Sequence, residues 1–266
     1  MLRNVLVAGV AVFGIILFLL WYMLRLRNRR NRALAEMNAT KDKFFSIISH
    51  DMKNPAEAQR DGLRLLVQHA GQWDAGTLAK YLGNLLETAE GQVELIYNLL
   101  GWAQLQTGRL VYRPAAFNLA AGLRSDIALI RGMAEKKGVA LAVRIPDDAD
   151  ITGDSNMLAT AVRNLLSNAV KFTPAGGTVT LDVARTGTDS TAPEYTISVS
   201  DTGVGMTADQ IANLFRLDNA RSQPGTAGEQ GSGLGLIVCR ELIEKHGSAL
   251  HVESAPDSGS RFWFVV

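Results

Sequence analysis

Four short stretches of the chain hold the residue types best suited to chemistry. Residues 46–55 read SIISHDMKNP, with His50 beside Asp51, Asn54 four residues on and Pro55 directly after. A histidine with a neighbouring carboxylate can act as a nucleophile with its own base. The alternative is a surface histidine beside a helix break, because Pro55 removes a backbone donor and kinks a helix. Residues 164–172 read NLLSNAVKF. Asn164 and Asn168 are four apart and share a helix face, with Lys171 on much the same side. Two amide oxygens and an ammonium group suit a metal–polyphosphate, since magnesium takes oxygen ligands and keeps several waters. The competing reading is a solvated pair of asparagines. Residues 201–206 read DTGVGM. Asp201 can accept a hydrogen bond from an exocyclic amine such as that of adenine, and glycines such as Gly203 and Gly205 allow close backbone approach. An ordinary turn explains this stretch equally well. Residues 231–236 read GSGLGL. Gly231, Gly233 and Gly235 open a helix, where unpaired N–H groups and the positive end of the dipole attract phosphate. The spacing is neither that of a P-loop nor that of a dinucleotide-binding turn.

These residues need elements to hold them. One long helix is expected over residues 25–72, interrupted at Pro55, then a turn over residues 71–74 with Asp74 or Thr77 as the next cap. In the second helix Leu78, Leu82, Leu85, Ala89, Gln92, Ile96, Leu99 and Ala103 follow alternating steps of four and three, the seam of a coiled coil. Two antiparallel helices with one apolar stripe each bury those stripes most simply as the four-helix bundle of a homodimer. Further on, helices are expected over residues 120–137, from the cap Asp154 to Phe172, and over 234–246. Strands are expected over residues 139–145, 178–184, 195–200, 249–254 and 261–266. A plain solvated loop spans 186–194 and a long Gly-, Ser- and Gln-containing loop spans 215–232. Helices on one face of these strands make an α+β sandwich.

The 266 residues allow one large or two ordinary domains, and 47% hydrophobic content supports real cores. A net charge of +1 gives no global argument for nucleic acid, and no direct nucleic-acid binding is expected. Cys239 is the single cysteine and forms no metal-ligand pair with the four scattered histidines, so no structural zinc is expected. His69, His246 and His251 are expected to be structural or solvent-facing. Residues 5–24 contain no charge and reach the length of a membrane-spanning helix. Five arginines between residues 25 and 32 follow them, against Arg3 before. The positive-inside rule then places the rest in the cytoplasm. The expected organisation is a transmembrane anchor over 1–24, a basic juxtamembrane linker helix over 25–40, a helical hairpin over 41–110 and an α/β sandwich over 111–266. The expected localisation is single-pass in the inner membrane.

In their order and spacing, the three C-terminal stretches resemble the ATP-binding domain of sensor histidine kinases. That domain belongs to the ATPase superfamily shared with gyrase, heat-shock chaperones and mismatch-repair clamps. FFSIISHDMKNP, residues 44–55, resembles the phospho-acceptor motif of the same kinases, and the resemblance covers residues 38–266. The juxtamembrane and lid sequences look most like kinases of the Bacteroidetes group. The resemblance implies that His50 attacks the γ-phosphate of ATP, that Asp51 orients the ring and takes its proton, and that Asn54 positions water to dephosphorylate a partner. It implies Asn168 as the magnesium ligand, Asn164 as the second asparagine, Lys171 on phosphate and Phe172 near adenine. Asp201 would read the adenine amine, with Gly203 and Gly205 shaping the pocket. Gly231, Gly233 and Gly235 would hold the phosphate-side end of a mobile lid. Phe215 resembles the lid's aromatic anchor, with core packing as the alternative. The implied cofactors are ATP and Mg2+. The implied partners are a separate response regulator, which accepts phosphoryl on an aspartate, and a second copy of the chain. Only four residues precede the hydrophobic run, so either the signal is expected to enter through the membrane or a partner, or the chain is a fragment of a longer sensor.

Overall fold

The computed structural model describes residues 14, 18–28, 31, 52–106, 110–186, 194–216, 223–229 and 233–266. Two compact units divide at residues 50 and 51. Within the first, residues 18–28 are helical. Phe18 packs on Trp21 and Tyr22, with ring centroids 6.0 and 6.4 Å apart, and Arg25 lies 5.0 Å over the Trp21 ring.

The transmembrane anchor expected over residues 1–24 is overturned, and with it the fold class that began with a membrane helix and the inner-membrane localisation. Among the described residues no helix is long and apolar enough to cross a membrane. The described helix over residues 18–28 has only residues 18–24 in that run before it continues through Arg25 and Arg27. Residues 1–13 and 15–17 lie outside the described residues.

The second unit begins with an antiparallel helical pair. Helix α1 (52–69) passes through a short 3-10 turn, Ala70–Gln72, into α2 (Ala75–Gln106). Asp74 is the cap of α2: its carboxylate accepts from the Thr77 N–H at 3.0 Å and the Thr77 hydroxyl at 2.6 Å. Trp73 closes the turn against Tyr81, 4.8 Å between centroids. Gly62 is buried where a Cβ would stand 2.7 Å from Leu85, so the missing side chain lets the two helices meet. Leu95 is buried, yet Leu82, Leu86, Val93, Ile96 and Leu100 on α2 and Leu63, Leu65 and Val67 on α1 are exposed.

The remainder folds around β1 (Ala115–Asn118), α3 (Leu119–Lys137), β2 (Ala140–Arg144), β3 (Asp150–Gly153), α4 (Ser155–Phe172), β4 (Thr178–Thr186), β5 (Glu194–Asp201), α5 (Ala208–Asn213), α6 (Gly235–Lys245), β6 (His251–Ser254) and β7 (Ser260–Val265). Five strands form one mixed sheet in the order β2-β4-β5-β7-β6, with β2 parallel to β4 and the other pairs antiparallel. Strands β1 and β3 pair separately. Strict alternation sets the sheet face. Val179, Leu181 and Val183, then Tyr195, Ile197 and Val199, then Phe262 and Phe264 point into the core. Leu158, Ala161, Val162, Leu165, Leu166 and Ala169 recur at helical spacing on α4 and cover that face.

The ends of α4 are well fixed. Asp154 caps it, accepting from the Met157 N–H at 3.2 Å, and its other oxygen accepts from the Arg113 N–H at 3.0 Å. His246 Nε2 accepts from the Asp154 N–H at 3.1 Å while its Nδ1 faces the Leu242 carbonyl at 2.8 Å, so Nδ1 carries the proton. His246 is thus structural, and His251 stacks on Trp263 at 5.3 Å.

Phe264 is fully buried in this core. Phe264→Ala should cost about 3–5 kcal/mol of unfolding free energy, read from urea denaturation followed by circular dichroism. A loss below about 1 kcal/mol would show that the sheet–helix core is not packed as described.

Candidate functional site

Helix α4 carries four of the expected site residues, Asn164, Asn168, Lys171 and Phe172. Its packing against the sheet faces Leu165, Leu166 and Ala169 inward and leaves Asn168 and Lys171 half-buried on the adjoining side. Asn164 is buried, which removes the solvated alternative for it. Its Nδ2 has no hydrogen-bond partner within bonding geometry among the described residues, a costly state for a buried amide unless a ligand or water answers it. The start of α6 lies beside it, where a Cβ on Gly235 would stand 3.8 Å from Asn164 Oδ1. The neighbouring Cys239 thiol, buried against the Ala161 carbonyl at 3.4 Å, is pushed up to about 12 by its burial. It is therefore inert as a nucleophile. The Lys171 ammonium lies 4.9 Å over the Phe172 ring.

The turn after β5 closes the second wall. Asp201 Oδ1 accepts from the Gly203 N–H at 2.8 Å and from the Ser260 N–H at 3.2 Å. Burial pushes the Asp201 carboxyl above its ordinary value, and these two donors only partly offset it. The Val204 N–H donates to the Phe172 carbonyl at 3.2 Å, which ties this turn to the end of α4. A Cβ on Gly203 would collide with that carbonyl and stand 2.7 Å from Asp201 Oδ1. Gly205 has φ of 64° and its Cβ would collide with the Ala255 carbonyl. Both positions therefore demand glycine for space, and Gly205 also for conformation.

Gly233 also has positive φ, 66°, just before α6. Gly231 lies outside the described residues, as do His50 and Asp51. Asn54 lies on the exposed face of α1. Phe215 packs against the core with Arg240 5.1 Å over its ring, as the packing alternative expects.

Several contributors were not read from the sequence. The Ser260 backbone joins the Asp201 carboxylate from a strand 59 residues away. Lys137 reaches the end of α4 from α3, donating to the Lys171 carbonyl at 2.6 Å. Thr226 reaches the same carbonyl from the 223–229 segment, through its N–H at 3.1 Å and its hydroxyl at 3.2 Å. No local pattern announces any of these contacts. A buried amide, a desolvated carboxylate, a half-buried lysine and glycine-lined turns along and beyond α4 are groups suited to a base and a charged tail.

Residues 153–266 match the family described as Histidine kinase-, DNA gyrase B-, and HSP90-like ATPase. These residues carry the likeness to that family. The similarity runs further along the chain. The sensor protein GacS of Pseudomonas syringae pv. syringae is 31% identical over 89% of this chain and 26% of its own length. The signal transduction histidine-protein kinase BarA of Escherichia coli is 25% identical over 85% of this chain and 24% of its own length. The chain thus spans about a quarter of the length of these curated relatives. The crystal structure of full-length ShkA in complex with AMPPNP is 25% identical, with a TM-score of 0.55 over 80% of this chain and 45% of that one. The chain is a relative of the protein-histidine kinases, and the resemblance carried by its motifs stands.

The raised Asp201 carboxyl fixes the sign of a pH effect. The folded chain holds this proton longer than the unfolded chain does, so its contribution to stability is full below the ordinary value of 3.8 and is lost as pH rises through the raised one. Asp201→Asn keeps an acceptor for Gly203 and Ser260 and removes the buried charge. Its melting temperature should exceed the parent's at pH 7, and the gap should close as pH approaches 3.8. An equal or lower melting temperature at pH 7 would exclude burial as the cause.

Proposed function

We propose that the chain binds ATP with magnesium in this site and uses it to phosphorylate His50. The observations that carry the reading are the turn of Asp201, Gly203 and Gly205 tied to the end of α4, and the buried Asn164 beside the start of α6, both within the segment that matches the ATPase family. Asp201 reads the adenine amine and Phe172 borders the base. Asn168 supplies a side-chain oxygen to magnesium, an ion that keeps most of its shell for water and phosphate. The bound ion would neutralise charge on the phosphates. Lys171 and the N–H groups of the turn at Gly231, Gly233 and Gly235 hold the polyphosphate. The described residues fit this chemistry: oxygen and ammonium groups are grouped on one helix, and the Asn164 side chain lies beside the start of α6 with its Nδ2 unanswered among the described residues.

In the transfer itself, a neutral imidazole nitrogen of His50 attacks the γ-phosphorus. The N–P bond forms as the bond to the bridging oxygen of ADP breaks, and Asp51 takes the ring proton. Phosphoryl transfer asks the protein mainly for position and charge compensation. Residues 41–110 serve as the dimerisation and phospho-acceptor hairpin and 111–266 as the catalytic domain, with 25–40 as a basic linker. The exposed leucines and valines of α1 and α2 support a homodimer, because an apolar stripe of this length is left open by one copy. The phosphoryl group passes to an aspartate of a separate response regulator, and Asn54 positions water for the reverse reaction. The structure of histidine kinase ThkA in complex with response regulator protein TrrA has a TM-score of 0.60 to this chain at 20% identity, over 91% of this chain and 64% of that one, a likeness of fold alone.

Incubation of the chain with γ-labelled ATP and magnesium should give a label that is acid-labile and alkali-stable, and His50→Gln should abolish it while leaving nucleotide binding intact. A label that survives in the variant would assign the acceptor elsewhere. Asn54→Ala should slow dephosphorylation of the labelled regulator by about tenfold or more and leave autophosphorylation unchanged; equal regulator half-lives would remove Asn54 from that role.

A further inference from the structure

Lys137 ends α3, outside every motif that marks the site. Its ammonium group has three protons and only 10% exposure, and three acceptors meet it. These are the Val170 carbonyl at 2.9 Å, the Lys171 carbonyl at 2.6 Å and Glu229 Oε1 at 2.6 Å. The other oxygen of Glu229 accepts from the Ala227 N–H at 2.9 Å. Glu229 thereby closes a small ring, in which the Gly225 N–H donates to the Glu229 carbonyl at 2.7 Å and the Gly228 N–H to the Gly225 carbonyl at 2.9 Å. The ring presses on the site. A Cβ at Gly225 would stand 2.6 Å from Lys171 Cγ and would also collide with Glu229 Oε2. The Glu229 carboxylate and the Lys171 side chain therefore border the same residue. A carboxylate there, left uncompensated, would repel a polyphosphate and attract the Lys171 ammonium.

We propose that Lys137 is a positioning residue for nucleotide binding: it cancels the Glu229 charge beside Lys171 and fixes the Lys171 backbone to the 225–229 ring. This rests on the ATP-binding reading above. Burial works to push the Glu229 carboxyl up, but the Lys137 ion pair and the N–H groups of Glu229 and Ala227 outweigh it and hold it below its ordinary value. The carboxylate is thus charged at neutral pH and needs its counter-ion. A role confined to capping α4 would make Lys137 matter for stability alone. Charge compensation makes a sharper demand, because removing Glu229 should then repair the loss of Lys137.

The test is Mg–ATP binding by calorimetry on the whole chain, with a thermal melt on each variant. Lys137→Met should bind about tenfold more weakly, and the double variant Lys137→Met/Glu229→Gln should recover most of that loss. Glu229→Gln alone should bind within about twofold of the parent. The proposal is overturned if Lys137→Met binds as the parent does, or if the double variant stays as weak as the single one. Should Lys137→Met fail to fold, Glu229→Gln decides alone: affinity within that range supports charge compensation, and a loss near tenfold overturns it. A parent chain that is folded but binds no Mg–ATP sinks the nucleotide reading and this proposal together, whereas normal binding with no repair sinks only this proposal.

Discussion

An α-helix ends with four carbonyls that its own ladder cannot satisfy. In α4 those groups are answered from four different parts of the chain. The Ala169 carbonyl takes the Thr173 hydroxyl at 2.6 Å and the Val170 carbonyl takes Lys137. The Lys171 carbonyl takes Lys137 and Thr226, and the Phe172 carbonyl takes the Val204 N–H. The unsatisfied end of one helix therefore gathers α3, the turn after β5 and the 225–229 ring at one place. The candidate site is built around that place. Leaving the end open to water would have been cheap; using it as a junction puts Asn168, Lys171 and Asp201 into a fixed relation.

The same junction concentrates groups that cost stability. Asp201 is a carboxylate held with two backbone donors in a setting that disfavours its charge. Asn164 buries an amide nitrogen without a protein partner. Glu229 and Lys137 are largely removed from water and tolerate it through mutual pairing. Elsewhere the domain follows the opposite rule, with Phe264, Leu119, Leu165 and Ile197 packed in an apolar interior. Asp154 is also buried, but there both carboxylate oxygens are answered by backbone N–H groups; a buried amide left unanswered and a carboxylate held against its charge are what is expected where binding rather than stability selected the residues.

The strands β4, β5 and β7 were legible because their apolar residues alternate, and α4 because its apolar face repeats under a clear Asp154 cap. Strands β1 and β3 were not, since four residues such as AAFN carry too little alternation. Helix α5 was missed for its length, although Thr207 and Gln210 form a capping box that a search for that spacing would have found. The glycine and asparagine positions of the site were legible as motifs. Lys137, Thr226 and the Ser260 backbone were not, because their partners lie 34, 55 and 59 residues away in sequence and are set by packing. The uncharged N-terminal run misled for a related reason. Length without charge is a local measure, and the described helix there runs on into arginines.

The two parts of the second unit differ in how far they satisfy themselves. The sheet and its helices close a core that excludes water on one face. The α1–α2 pair buries Gly62 against Leu85 and hides Leu95, but it keeps Val67 at 85% and Leu86 at 60% exposure. A two-helix layer has only one inner seam, and the residues on its other stripes are left exposed among the described residues. The proposed homodimer supplies that cover and makes the hairpin's stability depend on chain concentration, while the ATPase domain's does not. Such a difference lets one region exchange partners or bend while the other keeps its site intact. That separation suits the proposed transfer, in which the site on the sheet-and-helix domain must meet an acceptor outside it.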